Sequence, residues 1–107
     1  MLSDMSVELE AARCLVYDCA ARLDAGTPVA EIVRLSSTAK IFASEAAVKV
    51  CNDAIQLLGG AGYMRDHPVE RYLRDAKTTT IYEGTTQVQK NTIARVLLDA
   101  PRNKEAR

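Results

Sequence analysis

The sequence predicts an all-α fold, and three observations support this prediction. Apolar residues recur at the three- and four-residue spacing of helices along almost the whole chain. No alternating apolar run is long enough to form a strand. Glycines and prolines mark the ends of the periodic stretches, at Gly26, Pro28, Gly59, Pro68 and Pro101. The pattern indicates an elongated, up-and-down, four-helix-bundle-like domain with one very long helix.

The first helix is predicted to run from near the start of the chain to Gly26, because glycine favours a helix C-cap. One apolar stripe supports this helix, and it comprises Met5, Leu9, Ala12, Val16, Cys19 and Leu23. The second helix is predicted to have Thr27 as its N-cap and Pro28 as its first helical residue, and to end at Leu58.

The length of the second helix constrains the shape of the domain. At 1.5 Å per residue it would extend about 46 Å. A compact domain of this size has a radius of gyration of roughly 13 Å, so the domain must be elongated. The middle of the helix, residues 39–51, is apolar on more than one face and needs several packing neighbours. We therefore expect the chain to form part of a larger assembly.

Two shorter helices are predicted in the C-terminal half. One begins at Pro68 and fades at the β-branched run that starts with Thr78. The other starts near Thr85 or Thr86, and Pro101 is expected to end it. Residues 1–100 would then form the domain, and residues 101–107 would form a frayed, charged tail.

The composition excludes several classes of function. The 107 residues suit one domain, and 14 basic residues balance 14 acidic ones, so no basic field favours nucleic acid. No run of about 18 apolar residues is present to span a bilayer, and the first residues do not resemble a signal peptide. The three cysteines form no CxxC pair and are expected to be reduced, buried thiols. His67 is the only histidine, which excludes metal sites built on paired histidines.

A glycine-rich region follows the predicted second helix at residues 56–63 (QLLGGAGY). Glycines in this position favour a helix C-cap and a turn with positive φ, and they also allow a ligand to approach the backbone. The order of helix and then glycines is the reverse of a dinucleotide-binding fingerprint. The residues alone leave capping and ligand binding open.

The second candidate region is residues 81–87 (IYEGTTQ), where Glu83 precedes the predicted last helix. The helix dipole favours an acid in this place by about 0.3–1 kcal/mol, an explanation that requires no function. A base that removes a carbon-bound proton would have to be held rigidly and screened from water. The free N–H groups of the same helix start suit an anionic or polar cofactor group. The residues alone leave both interpretations of Glu83 open.

Three segments together resemble the C-terminal domain of acyl-CoA dehydrogenases, and they are residues 56–63, 68–77 (PVERYLRDAK) and 81–87. Their order and spacing also match, with Gln56 lying 27 residues before Glu83. Residues 10–17 are similar to the first helix of that domain. The resemblance covers residues 2–98, nearly the whole chain.

The resemblance implies a flavin-dependent oxidation. In this family a glutamate removes the pro-R α-proton of an acyl-CoA thioester while a β-hydride passes to N5 of FAD, and the product is a trans-2-enoyl-CoA. Glu83 matches that glutamate, and its backbone N–H would help to polarise the thioester carbonyl. Gly84 matches a position that lines the substrate site.

Cofactor and partner contacts are implied in the same way. Thr85 and Gln87 match residues that contact the FAD of the same subunit, and Thr86 lies between them. Gln56 and Gly60 match the segment that reaches the FAD of a neighbouring subunit. The resemblance also implies electron-transfer flavoprotein as the electron acceptor, a homodimer or homotetramer, and location in the bacterial cytoplasm or the mitochondrial matrix.

The resemblance does not extend to a whole family member, which also has an N-terminal helical domain and a middle β-domain. The resemblance implies that this sequence starts within the first helix of its own domain, after an arginine-containing segment that contacts FAD in the family. We therefore expect a fragment that neither holds FAD tightly nor turns over acyl-CoA by itself. Two alternatives are a non-catalytic helical interaction module derived from the family, and a relative that uses a similar flavin site as an oxidase or decarboxylating dehydrogenase.

Overall fold

The computed structural model describes the backbone of residues 1–105 and the side chains of residues 1–100. The helices in this range are α1 (Leu2–Asp24), α2 (Val29–Leu58), α3 (Gly60–Tyr63), α4 (Val69–Thr78) and α5 (Thr86–Glu105). No strand occurs among these residues, so the all-α prediction is confirmed. The predicted ends of α2 at Leu58 and of α4 at Thr78 are also confirmed. The single-turn helix α3 was not predicted.

The long helix α2 is the centre of the fold. Within the described residues, α1, α3, α4 and α5 all pack against α2, whereas α1, α4 and α5 do not pack on one another. The molecule measures 61 × 23 × 20 Å, with a radius of gyration of 17.3 Å. A compact domain of this length would have a radius of gyration of roughly 13 Å, so the predicted elongation is confirmed.

The turn between α1 and α2 contains the glycine that was expected to end α1. Gly26 has a φ of 75°, and its N–H donates to the carbonyl of Leu23 at 3.1 Å. The N–H of Thr27 donates to the carbonyl of Arg22 at 3.1 Å, which completes a Schellman motif. The N-cap of α2 is Pro28 and not Thr27 as predicted, because the Pro28 carbonyl accepts the first hydrogen bonds of the helix.

The core of the described chain is made of small side chains. Its buried residues are Ser37, Ala39, Ser44, Ala46, Gly62, Ala76 and Thr86. Many large apolar side chains are exposed instead, among them Val29 at 78% and Tyr63 at 79%. Exposed apolar surface on this scale is typical of a surface that a partner or another domain covers. Over the part of the chain that the structure describes, every helix is too short or too polar to cross a membrane.

The three cysteines are unpaired, and only part of the prediction for them is confirmed. Cys19 and Cys51 are half-buried, and partial burial raises the pKa of the Cys51 thiol above its ordinary value because burial disfavours the thiolate. Cys14 is exposed, so the prediction of burial is wrong for this residue. The reason is that α1 packs against a single neighbour, α2, and leaves most of its circumference open.

The last helix continues through Pro101 to Glu105, so the prediction that proline ends it there is wrong. Proline removes the hydrogen bond that its own nitrogen would donate to the carbonyl of Leu97, and the helical backbone persists on both sides of this gap. The boundary predicted between domain and tail after residue 100 therefore does not coincide with a helix end. Residues 106 and 107, the end of the predicted tail, lie outside the described residues.

Candidate functional site

The segment between α4 and α5 reverses the chain in a tight turn. The N–H groups of Thr80 and Tyr82 still donate back into α4, at 3.1 Å each. Glu83, with a φ of 53°, and Gly84, with a φ of 90°, are then two successive left-handed residues. Glu83 is the one non-glycine residue with positive φ in the described part of the chain. A left-handed conformation costs a residue with a Cβ roughly 1–2 kcal/mol, so other contacts must hold this turn.

Glu83 itself is exposed. Within the described residues, neither its carboxylate nor its backbone N–H has a hydrogen-bond partner, whereas its carbonyl accepts a bond from Gln89 Nε2 at 3.1 Å. The turn therefore presents a carboxylate together with an unused N–H donor. A base for a carbon-bound proton has to be screened from water. The described residues do not provide this screening for the Glu83 carboxylate.

Glu83 lines a cavity of about 350 Å³ between α2 and the turn. The other residues of its wall are Lys40, Ala43, Ser44, Ala47, Thr79 and Tyr82. Small side chains on α2 leave this space beside the carboxylate, and most of the wall is methyl groups and an aromatic ring. The cavity suits an apolar group that has to approach a carboxylate.

The predicted start of α5 is confirmed, with Thr85 as its N-cap. The hydroxyl oxygen of Thr85 accepts a hydrogen bond from the N–H of Val88 at 3.2 Å. Thr86 is buried, and its N–H donates to the carbonyl of Thr80 at 3.2 Å. Gln87 is exposed, and its N–H has no partner within the described residues. An unpaired N–H at the positive end of a helix favours a negative or polar group.

Thr85, Thr86 and Gln87 line a second cavity of about 1050 Å³, which shares no lining residue with the cavity of Glu83. Its charged lining residues are Glu45, Lys49, Arg74, Lys77 and Lys90. Lys49 pairs with Glu8 and Asp53, and Arg74 pairs with Glu70. Lys77 and Lys90 form no ion pair among the described residues and suit an anionic group. The turn therefore separates a carboxylate on one side from hydroxyl, amide and basic groups on the other.

In the glycine-rich turn after α2, the fold requires glycine at two positions and does not require it at a third. Gly59 has a φ of 60°, and a Cβ on Gly62 would lie 2.7 Å from the carbonyl oxygen of Ile55. A Cβ on Gly60 would meet nothing within 4 Å, so the fold does not require glycine at this position. Gln56 and Gly60 are exposed and line neither of the two cavities. The structure does not bring them together with Glu83.

The sequence reasoning missed two residues that contact the turn. Lys40 Nζ donates to the carbonyl of Gly84 at 2.6 Å, and Gln89 donates to the carbonyl of Glu83. Lys40 lies 44 residues before Gly84, so no local pattern connects them. One signal was available, because Lys40 is the single charged residue in the otherwise apolar stretch 39–43 (AKIFA).

The protein is thus a helical domain of a recognisable class. It is built around a single long helix, and the turn that carries Glu83 lies between two cavities. A family model for the acyl-CoA dehydrogenase C-terminal domain matches residues 1–98. The chain belongs to the acyl-CoA dehydrogenase family and corresponds to the C-terminal domain of its members.

Individual relatives agree with this assignment. The probable acyl-CoA dehydrogenase FadE25 of Mycobacterium tuberculosis is 52% identical over 98 residues, which cover 92% of this chain and 25% of that protein. The structure of butyryl-CoA dehydrogenase from Megasphaera elsdenii matches with a TM-score of 0.83 and 44% identity, over 91% of this chain and 24% of that one. The FAD complex of PigA matches with a TM-score of 0.82 and 33% identity, over 88% and 24%. The chain thus spans about a quarter of the length of these relatives.

Proposed function

We propose that this chain supplies the catalytic base and part of the FAD site of an acyl-CoA dehydrogenase, which oxidises an acyl-CoA thioester to a trans-2-enoyl-CoA. Glu83 is the base that removes the α-proton. The observation that carries this proposal is the left-handed turn at Glu83, which puts a carboxylate in the wall of a mostly apolar cavity in a chain of this family.

The backbone of the turn supports the same chemistry. Removal of the α-proton places negative charge on the thioester oxygen, and a preorganised N–H donor lowers the cost of that charge. The Glu83 N–H has no partner within the described residues and is free for this role. Gly84, the next residue, lines neither of the two cavities in this chain, and its proposed place beside the substrate follows from the family resemblance. The carboxylate and the N–H donor thus belong to one residue, so the backbone conformation of Glu83 determines the orientation of both groups.

The start of α5 fits a flavin. FAD, when bound, supplies the acceptor for the β-hydride. The hydroxyl of Thr85, the unpaired N–H of Gln87 and the basic residues of the larger cavity suit its polar and anionic parts, and Thr86 forms the wall between them. Gln56 and Gly60 are exposed and lie outside both cavities, and we propose from the family resemblance that they contact the FAD of a neighbouring subunit.

The catalytic unit is larger than this chain. Glu83 is exposed here, so other domains of the enzyme have to exclude water from the carboxylate, and we propose that the 107-residue chain alone is inactive. The exposed apolar side chains support self-association as a homodimer or homotetramer. Electron-transfer flavoprotein is the proposed acceptor of the electrons, and the bacterial cytoplasm or mitochondrial matrix is the proposed location.

A chimera tests the role of Glu83. Residues 1–98 replace the matching quarter of the butyryl-CoA dehydrogenase from Megasphaera elsdenii, and the anaerobic loss of flavin absorbance on mixing with butyryl-CoA is recorded. Glu83→Gln should abolish this reduction and leave FAD content and butyryl-CoA binding intact, because the amide cannot accept the proton. Glu10→Gln, an exposed acid on α1, is the matched control and should retain the rate. Rapid flavin reduction by Glu83→Gln would contradict the proposal.

The same chimera separates the enzyme from its alternative. A non-catalytic interaction module would assemble and bind FAD in the chimera without reducing it, even with Glu83 in place. The 107-residue chain is tested separately by titration with FAD, where we expect no tight binding. Near one FAD per chain would overturn the expectation that the isolated chain does not hold FAD tightly.

A further inference from the structure

The backbone of Glu83 and Gly84 adopts a conformation that the residues themselves do not favour. Glu83 has a φ of 53° although it carries a Cβ, and Gly84 follows with a φ of 90°. Such a conformation persists only where the surrounding structure determines it. The question is therefore which groups outside the turn hold it.

Two side chains from different helices bind the two successive carbonyls of the turn. From α2, Lys40 Nζ donates to the carbonyl of Gly84 at 2.6 Å, and from α5, Gln89 Nε2 donates to the carbonyl of Glu83 at 3.1 Å. Within the described part of the chain, the Gly84 carbonyl is the hydrogen-bond partner of the Lys40 ammonium. A hydrogen bond from a charged donor is roughly twice as strong as a neutral one.

The glycine at position 84 is matched to this arrangement. A Cβ there would lie 2.6 Å from Gln89 Nε2, which is closer than a real contact allows. Any larger residue would therefore displace the amide that binds the Glu83 carbonyl. The glycine, the lysine and the glutamine form one interdependent unit around the carboxylate residue.

We propose that Lys40 and Gln89 are positioning residues that clamp the Glu83–Gly84 turn and thereby aim both the Glu83 carboxylate and its N–H. The proposal rests on the proposed function of Glu83 as the base. It assigns to two residues outside the 81–87 segment the geometry on which proton removal depends, since a misplacement of roughly 1 Å costs up to about 100-fold in rate.

The first test uses the 107-residue chain and requires no activity. The three-bond HN–Hα coupling and the Cα and Cβ chemical shifts of Glu83 report whether its φ is left-handed. Lys40→Met, which keeps the length of the side chain and removes the donor, should shift these values toward an ordinary right-handed or extended backbone. Gln89→Met should do the same. Arg34→Met is the matched control, because it removes a cation from α2 that bonds to Glu31 and not to the turn.

The second test measures the rate constant of flavin reduction in the chimera described above. Lys40→Met and Gln89→Met should lower it by up to about 100-fold at saturating butyryl-CoA, while the FAD content changes little. The isotope effect with α-deuterated butyryl-CoA should rise, because proton removal becomes slower than the other steps. Lys40→Arg keeps a charged donor and should recover part of the rate.

The outcomes separate this proposal from the proposed function. If Glu83→Gln abolishes reduction but Lys40→Met and Gln89→Met leave the rate and the isotope effect unchanged, the clamp is wrong and the base assignment stands. Equal loss in Lys40→Met and Lys40→Arg, or loss of bound FAD in place of loss of rate, shows a merely structural role and also overturns the clamp. If flavin reduction persists in Glu83→Gln, Glu83 is not the base, and the clamp proposal loses its basis as well.

Discussion

The two glycine-containing turns of this molecule acquire their shapes in different ways. In the turn after α2, Gly59 has a positive φ, and Gly62 packs against the carbonyl of Ile55 in the last turns of α2. In the turn before α5, Glu83 and Gly84 are left-handed, and the groups that bind their carbonyls come from α2 and α5. Neighbours in sequence determine the first turn, whereas tertiary contacts determine the second.

This difference determines how strongly the conformation of each turn depends on the rest of the fold. A turn with glycine at its strained position satisfies local preferences and needs no help from the rest of the fold. A turn with glutamate at such a position is locally unfavourable, so it forms only where packed helices stabilise it. The carboxylate proposed as the base thus lies in the turn whose carbonyls are bound by side chains of α2 and α5. Substitutions in the two turns should therefore have different signatures.

The largest effect is expected from Gly62→Ala. The new Cβ would lie 2.7 Å from the Ile55 carbonyl oxygen and 2.9 Å from Leu58 Cβ, and backbone cannot move away cheaply. We expect the free energy of unfolding of the chain to fall by about 1–3 kcal/mol in urea denaturation followed by circular dichroism. Gly60→Ala is the matched control, since its Cβ meets nothing, and its stability should stay equal or rise by up to about 1 kcal/mol. Equal losses in the two variants would contradict the local origin of this turn.

A smaller effect on stability is expected from Gly84→Ala. Here the contact at 2.6 Å is with the end of the Gln89 side chain, which is able to swing away, so left-handed strain remains as the main cost, roughly 1–2 kcal/mol. Gly26→Ala provides the comparison, because Gly26 has a φ of 75° with no atom near its Cβ. Both variants should lose similar stability in urea, but only Gly84→Ala should slow flavin reduction in the chimera. A Gly84→Ala variant with the parent rate would show that the second turn does not depend on Gln89.

The smallest effect is expected from Thr85→Ala, which removes the cap of α5 and leaves both turns in place. Loss of the hydrogen bond from the Val88 N–H should lower the free energy of unfolding by about 1 kcal/mol. Thr92→Ala is the control, because the Thr92 hydroxyl bonds to the Val88 carbonyl inside the helix and caps nothing. If urea denaturation gives the same change for both, Thr85 does not act as a cap.

Much of the fold could be predicted because it depends on local chemistry. Gly26, the end of α2 at Leu58 and the start of α4 after Pro68 all follow from capping and breaking rules that act over a few residues. The errors arose where such rules are weak. Pro101 removes a single hydrogen bond and does not end α5, and Cys14 is exposed because α1 has one packing neighbour.

The candidate site was predictable to a lesser degree. The start of α5 beside Thr85 was predicted from its motif and is confirmed, whereas the roles of Glu83 and Gly84 stay predictions. The contact of Lys40 with Gly84 joins residues 44 positions apart, and such a contact depends on how α2 packs against α5. The roles of Gln56 and Gly60 stay predictions, because they lie outside both cavities.

The core of small side chains has a calorimetric consequence. The buried residues are all small, while large apolar side chains such as Val29 and Tyr63 already face solvent. The heat-capacity increment of unfolding and the slope of stability against urea both scale with the surface that unfolding newly exposes. We expect a single copy to unfold with a small heat-capacity increment and a shallow slope of stability against urea, and both quantities should increase if another copy covers the exposed helix faces.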